Sequence, residues 1–343
     1  MRWGMKKAAV KATEIDLAWR RSLRAAVAGD WLAAETWLER IVEADSQNLE
    51  AYLVLARLYR SQGAIGRALR MHQNLLLRSG LQESTRKEAL LELARDFEEG
   101  GYQARAAAAY EELLDSQPRN AKILERLASV LHDLSEFPRA LTMARRLRRR
   151  DRKIGTRLEV RILLAQAESQ NASGDHDGAR QSIKQCLRRD KECAMAWLRL
   201  GELEAERGRE SKALDAWKRG ATADAVVAET LYPKLAATFA ACGKPGEFDR
   251  FLLKLLDARP KDHGARIALA RARSSRGDTS AAIEELARAI EVTPDHLGLR
   301  CELGRLLISS GQDAEALKAY GDLLSVVERT TAVTDAGGSE TDG

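Results

Sequence analysis

Large apolar, small apolar and polar positions recur along this chain in one fixed arrangement, nine times between residues 15 and 330. The second period shows it: Tyr52, Leu55 and Tyr59 are large, Ala56 is small, and beyond Gly63 come Ala68 and His72. Each period has a glycine or serine at its middle, at Gly29, Gly63, Gly101, Ser135, Gly174, Gly208, Gly243, Gly277 and Gly311, in steps of 34, 38, 34, 39, 34, 35, 34 and 34 residues. Five residues further on stand Ala34, Ala68, Ala106, Ala140, Ala179, Ala213, Phe248, Ala282 and Ala316, so only Phe248 is large. Seven residues before stand Ser22, Ala56, Ala94, Ala128, Ala167, Gly201, Ala236, Ala270 and Gly304. The spacing predicts two helices per period. The first ends where the chain turns left-handed, a conformation that favours glycine. The second crosses the first at the small residues, where a larger side chain would cost about 1 to 3 kcal/mol in overpacking. Pro118, Pro260 and Pro294 stop the second helix of three periods, because proline lacks the amide hydrogen. No stretch alternates as a strand would, and Ala, Leu, Glu, Arg and Lys, which favour helices, dominate.

A 34-residue helical period resembles the tetratricopeptide repeat. Trp197, Leu200, Gly201, Ala213 and Trp217 follow its W-x-x-L-G and A-x-x-x-F consensus. The expected fold is all-α, a right-handed superhelical solenoid of about nine tetratricopeptide (TPR) helix-turn-helix repeats, at 15–48, 49–82, 87–120, 121–154, 160–193, 194–227, 229–262, 263–296 and 297–330. The extra residues 83–86 and 155–159 are expected in turns, where added length is tolerated. Residues 1–14 read as a basic tail with Arg2, Lys6, Lys7 and Lys11, and residues 331–343 as a disordered acidic tail.

In such a solenoid the first helices line the concave face, so a partner would meet template positions 2, 5, 6, 9, 12 and 13. The candidate docking residues are Glu50, Leu53, Val54, Arg57, Arg60 and Ser61 in the second repeat, Glu92, Arg95 and Glu98 in the third, and Arg126 and His132 in the fourth. Their mixed charge and few apolar members suit an extended peptide or a partner's loop.

The net charge of +5 is local. Arg145, Arg146, Arg148, Arg149, Arg150, Arg152 and Lys153, offset by Asp151, carry +6, which leaves −1 for the remainder. This run sits at a predicted helix end, where the dipole favours cations. An alternative function follows from it, a nucleic-acid- or anion-binding solenoid that meets acidic groups there. No aromatic residue interleaves with the run, which counts against single-stranded nucleic acid.

Chemistry is sparse elsewhere. His72, His132, His176, His263 and His296 have no acidic or cysteine partner at a motif spacing, and H-E-x-x-H, G-x-S-x-G and phosphate-loop signatures are missing. Cys186, Cys193, Cys242 and Cys301 are scattered rather than paired as C-x-x-C. They read as buried free thiols in a reducing cytosol, with no metal and no cofactor. The first 14 residues hold no apolar run beyond Ala8 to Val10, whereas a signal peptide needs about 7 to 15 apolar residues and a membrane span about 20. These readings point to a cytoplasmic, non-enzymatic protein.

Residues 51–73, AYLVLARLYRSQGAIGRALRMHQ, and 93–106, LARDFEEGGYQARA, go beyond a generic repeat. They resemble the LapB (YciM) family, which carries similar R-S-x-G, R-A-x-R-x-H-Q and R-D segments in the same order. The likeness extends over about 15–330. It implies a cytoplasm-facing adaptor that regulates lipopolysaccharide synthesis by bringing the deacetylase LpxC to the membrane protease FtsH. The family's membrane anchor and its rubredoxin-like module with two C-x-x-C pairs have no counterpart in these 343 residues. The adaptor role is therefore expected here without the metal.

Overall fold

The computed structural model describes the backbone of residues 2–337 and the side-chain surroundings of residues 13–329. Among the described residues there are eighteen α-helices and no strand. They fall into two compact units, Met1–Glu168 and Ser169–Gly343. The first unit contains α1 (Arg2–Val27), α2 (Trp31–Ala44), α3 (Leu49–Ser61), α4 (Ile65–Leu76), α5 (Glu83–Glu99), α6 (Gln103–Ser116), α7 (Ala121–Asp133) and α8 (Phe137–Arg148), followed by most of α9 (Arg152–Ala172). The second contains α10 (His176–Arg189), α11 (Ala194–Glu206), α12 (Glu210–Ala223), α13 (Ala225–Ala241), α14 (Pro245–Ala258), α15 (His263–Ser274), α16 (Thr279–Val292), α17 (Leu297–Ser309) and α18 (Asp313–Gly337). The fold is an all-α tetratricopeptide-repeat solenoid. The expected tails at 1–14 and 331–343 lie, except for Thr13 and Glu14, outside the described side chains.

Successive helices pack on one another from α1 to α8 in the first unit and from α10 to α18 in the second. First helices also touch one another, α3 against α5 in the first unit and α11, α13, α15 and α17 in series in the second. Within each unit they therefore form a row, which is where docking residues were expected.

All nine mid-period residues have positive φ, including Ser135 at 60°. There the Ser135 amide donates to the His132 carbonyl at 2.9 Å and the Glu136 amide to Leu131 at 2.9 Å, so the left-handed residue satisfies carbonyls that the helix end leaves free. The residues five positions later are all buried. Phe248 is buried too, with its ring 5.8 Å from that of Phe239. The two rings pack together where α13 meets α14.

The extra residues are not in turns. Residues 83–86 form the first turn of α5, and 155–159 lie inside α9. Asp151 caps α9 by accepting from the Ile154 amide at 2.9 Å. Gly155 then passes so close to α8 that a Cβ there would lie 2.4 Å from the Arg148 Cα. The added residues thus lengthen first helices, and a glycine makes room for the crossing.

Candidate protein-interaction site

In the first unit the predicted residues of α3, α5 and α7 are largely spent on one another. Arg60 donates to Glu92 Oε2 at 2.6 Å and to Asp96 Oδ1 at 2.8 Å. Arg57 donates to Glu88 at 2.7 Å and lies 3.2 Å from Glu92, and Arg95 donates to Glu92 at 2.9 Å. Glu92 is 2% exposed. Burial opposes its charge, but the Arg60 hydrogen bond and the Arg57, Arg60 and Arg95 charges outweigh it and hold the carboxyl below the usual range. Behind it His72 Nδ1 meets Asp96 Oδ2 at 2.5 Å, with both side chains fully buried. The two are 24 residues apart in sequence, so no local motif could have paired them.

Two expected docking residues are therefore corrected. Leu53 and Glu92 are buried, Leu53 in the contact of α3 with the helices beside it and Glu92 in the ion network. Arg60 lies mostly inside, with 14% of its side chain exposed. Glu50 is exposed, and so is Ser61, whose hydroxyl donates to the Leu58 carbonyl. Glu98 accepts from Tyr110 at 2.8 Å and from Arg126 at 3.1 Å. His132 sits 2.9 Å from Asp133 and edge-on to Phe137. Val54, Arg57 and Ser61 do come together, with Trp19, Leu23 and Trp31, around a cleft of about 270 Å³.

The ladder of charges recurs. Glu302 of α17 stands at the template position of Glu92, and it accepts from Arg271 at 2.7 Å and from Arg305, which hold the positions of Arg57 and Arg95. In α11 and α13 the signs are exchanged, with Glu202 accepting from Arg199 and lying 3.0 Å from Lys234. These pairs stitch neighbouring repeats, which is why so few of the predicted charges are free.

In the second unit the row of first helices is open. A cleft of about 650 Å³ runs between α13 and α15, with Tyr232, Pro233, Ala236, Phe248, Ile267, Ala268 and Ala272 as apolar lining and Glu229, Arg271, Ser275 and His296 as polar rim. Gly264 and Gly298 complete it. Phe248, the one large residue at its template position, is part of the wall of this cleft. Pro233, Gly264, Ile267, Ala268, Arg271, Ser275 and Gly298 occupy template positions 2, 5, 6, 9 and 13. These are the same template positions as those of the docking residues expected in the second to fourth repeats.

The basic run is divided between two helices. Arg145 and Arg148 at the end of α8 engage Glu159, which is 1% exposed, at 3.3 and 2.9 Å. Arg146 donates to the Pro118 carbonyl at 2.8 Å. Arg149, Arg150, Arg152 and Lys153 are exposed, the last two in the first turn of α9 rather than at a helix end that favours cations.

Among the cysteines only Cys186 is buried, whereas Cys242 and Cys301 are exposed and Cys193 is half-buried, which corrects the reading of four buried thiols. Cys186 and Cys193 share a hydrogen bond. That bond, with the Ala196 and Met195 amides at the start of α11, lowers the Cys193 thiol to about 7, while the same bond and burial push Cys186 up. No group of three or more potential metal ligands occurs among the described residues. No described helix is long and apolar enough to cross a membrane.

A repeat register carried by paired helices, with an open row of first helices, defines the class. A tetratricopeptide-repeat model matches residues 91–153, 164–226 and 267–324, more than half of the sequence, and the chain belongs to the tetratricopeptide-repeat family. Within that class it is LapB-like. It is similar to lipopolysaccharide assembly protein B of Escherichia coli strain K12, 29% identical over 227 residues that make up 66% of this chain and 58% of that protein. It is 34% identical over 110 residues to the protein of the same name from Haemophilus influenzae strain Rd, covering 32% of this chain and 28% of the relative. The match thus spans less than two thirds of the relatives' length. Solved structures with partial likeness include MamA, at 20% identity over 48% of this chain and 96% of the other with a TM-score of 0.34. MamA from Desulfovibrio magneticus RS-1 gives 13%, 51%, 93% and 0.37 in the same order.

Proposed function

We infer that the chain is a non-enzymatic adaptor that holds segments of other proteins along its row of first helices and serves lipopolysaccharide assembly. The observation that carries this reading is the apolar cleft of about 650 Å³ between α13 and α15, rimmed by Glu229, Arg271 and His296. Its size and lining suit an apolar side chain of an extended segment, with rim charges to fix register. The LapB-like sequence supports the pathway. By that resemblance the partners are a deacetylase of the LpxC kind and a membrane protease of the FtsH kind, met on the cytoplasmic side. The non-enzymatic reading is supported by the His72–Asp96 pair, which is fully enclosed and cannot reach a substrate.

The test is binding of the purified chain to the host's LpxC-type deacetylase and to the soluble part of its FtsH-type protease. Ala268→Arg and Ser275→Arg, which crowd the cleft, should weaken at least one partner tenfold or more while leaving thermal unfolding unchanged. Equal affinity of the wild type and both variants for both partners would overturn the reading.

A further inference from the structure

A second concavity, in the second unit, gathers cationic side chains without an ion pair among the described residues. It measures about 750 Å³ and lies among α10, the start of α11 and the end of α12. Five cations line it, Lys184, Arg188, Lys191, Lys218 and Arg219, against the single carboxylate of Glu192. The row of first helices pairs its arginines with glutamates across repeats. Here, among the described residues, none of the five forms an ion pair. Lys218 instead lies 4.9 Å over the Phe239 ring, and Arg219 4.9 Å over Trp197. Like charges gathered in one hollow within a Debye length of each other raise the local potential, and a concave wall focuses it.

The floor is not polar. Leu187, Leu200 and Ala223 line it beside Trp197, whose ring is fixed by donating Nε1–H to the Lys191 carbonyl at 2.8 Å. A fixed indole, an apolar floor and a cationic rim select a ligand with two ends. Arginine forks match phosphate oxygens, and lysines add point charge. The volume lies within the range of small-molecule sites.

We propose that this hollow binds a phosphate ester, the phosphate held by Arg188, Lys184 and Lys191 and the ester's apolar or planar group resting on Trp197 and Leu200. The site is distinct from the basic run at Arg145–Lys153, where Glu159 already engages two arginines. Such an ester can be a soluble metabolite or the headgroup of an anionic lipid.

Calorimetric titration of the full chain with phenyl phosphate and with inorganic phosphate tests the first source. Sedimentation with vesicles of phosphatidylcholine containing phosphatidic acid, against phosphatidylcholine alone, tests the second. Phenyl phosphate should bind more tightly than inorganic phosphate, or the phosphatidic acid vesicles should bind where the neutral ones do not. Either result identifies the source. The doubly reversed Arg188→Glu/Lys191→Glu chain should lose at least tenfold in affinity, whereas Arg149→Glu/Arg150→Glu should not change it. If the reversed chain shows altered circular dichroism, the neutral Lys184→Gln/Arg188→Gln form replaces it, with the same loss expected. Absence of binding by every probe, equal binding to neutral vesicles, or equal affinity of the wild type and the Arg188 variants would overturn the assignment.

Discussion

Gly201 and Trp217 share one space: a Cβ on residue 201 would come within 2.2 Å of Trp217 Nε1, the atom that donates to the Leu198 carbonyl at 3.3 Å. The contact joins α11 to α12 at their crossing and lets Trp217, one of the two tryptophans of the repeat, lie 5% exposed. Gly201→Ala therefore displaces a buried ring. It should lower stability by about 1 to 3 kcal/mol, in the range of core overpacking. Gly246, with open space around it and an ordinary backbone conformation, is the control. Gly246→Ala should leave the chain as stable as before or slightly more so. Urea melts of the two variants check both; a Gly201→Ala midpoint equal to the wild type would refute the crossing argument.

Ser135 is the only non-glycine residue with positive φ among the described residues. A side chain in the left-handed region costs roughly 1 to 2 kcal/mol, part of which glycine returns through its greater freedom in the unfolded chain. Ser135→Gly should accordingly raise stability by about 0.5 to 1 kcal/mol. Calorimetry reads this as a higher Tm, and a fall in Tm would mean that the serine side chain contributes something the backbone argument omits.

Glu92, Glu204 and Glu302 respond to acid in one direction. Burial raises each pKa, but arginine partners outweigh it: Arg57, Arg60 and Arg95 for Glu92, Arg180 and Arg209 for Glu204, Arg271 and Arg305 for Glu302. All three end below their unfolded value of about 4.3. A group with a lowered folded pKa contributes stability that is present above the unfolded value and is lost as pH falls through the folded one. The urea midpoint should hold steady as far as these groups are concerned down to about pH 4.3 and decline below it. Replacing Glu92 and Glu302 by glutamine should flatten that decline. A midpoint that rises on acidification below this point would contradict the account.

The Cys193 thiol, lowered to about 7 by the Cys186 hydrogen bond and two backbone amides, should be alkylated by iodoacetamide along a pH profile centred near that value. In Cys186→Ala the profile should move upward towards the ordinary thiol range of about 8.5. Peptide mass spectrometry separates Cys193 from the exposed Cys242 and Cys301. An unchanged profile in the variant would show that Cys186 does not set the thiol's acidity.

The repeat register was legible because its demands are local. A left-handed turn and a close helix crossing each restrict one position to small residues, and a fixed period copies that restriction along the chain. Hence the nine mid-period residues all take positive φ, and all nine residues five positions later are buried. Even Phe248 was visible as a departure, although what it does was not.

Which surface charges are free could not be read this way. Arg60 and Glu92 are 32 residues apart, His72 and Asp96 24, and Arg271 and Glu302 31. Each side chain alone has the composition of a solvated helix face, and only the stacking of one repeat on the next brings it to its partner and buries it. The same stacking gathers Lys184, Arg188, Lys191 and Arg219 around Trp197 with Glu192 as the single carboxylate, and sets Phe248 in the wall of a cleft between α13 and α15. Period and helix were determined by the sequence because backbone geometry acts within a few residues. Pairing, burial and the hollows left open were decided by tertiary structure, because Coulomb and packing energies depend on distances that cross from one repeat to the next.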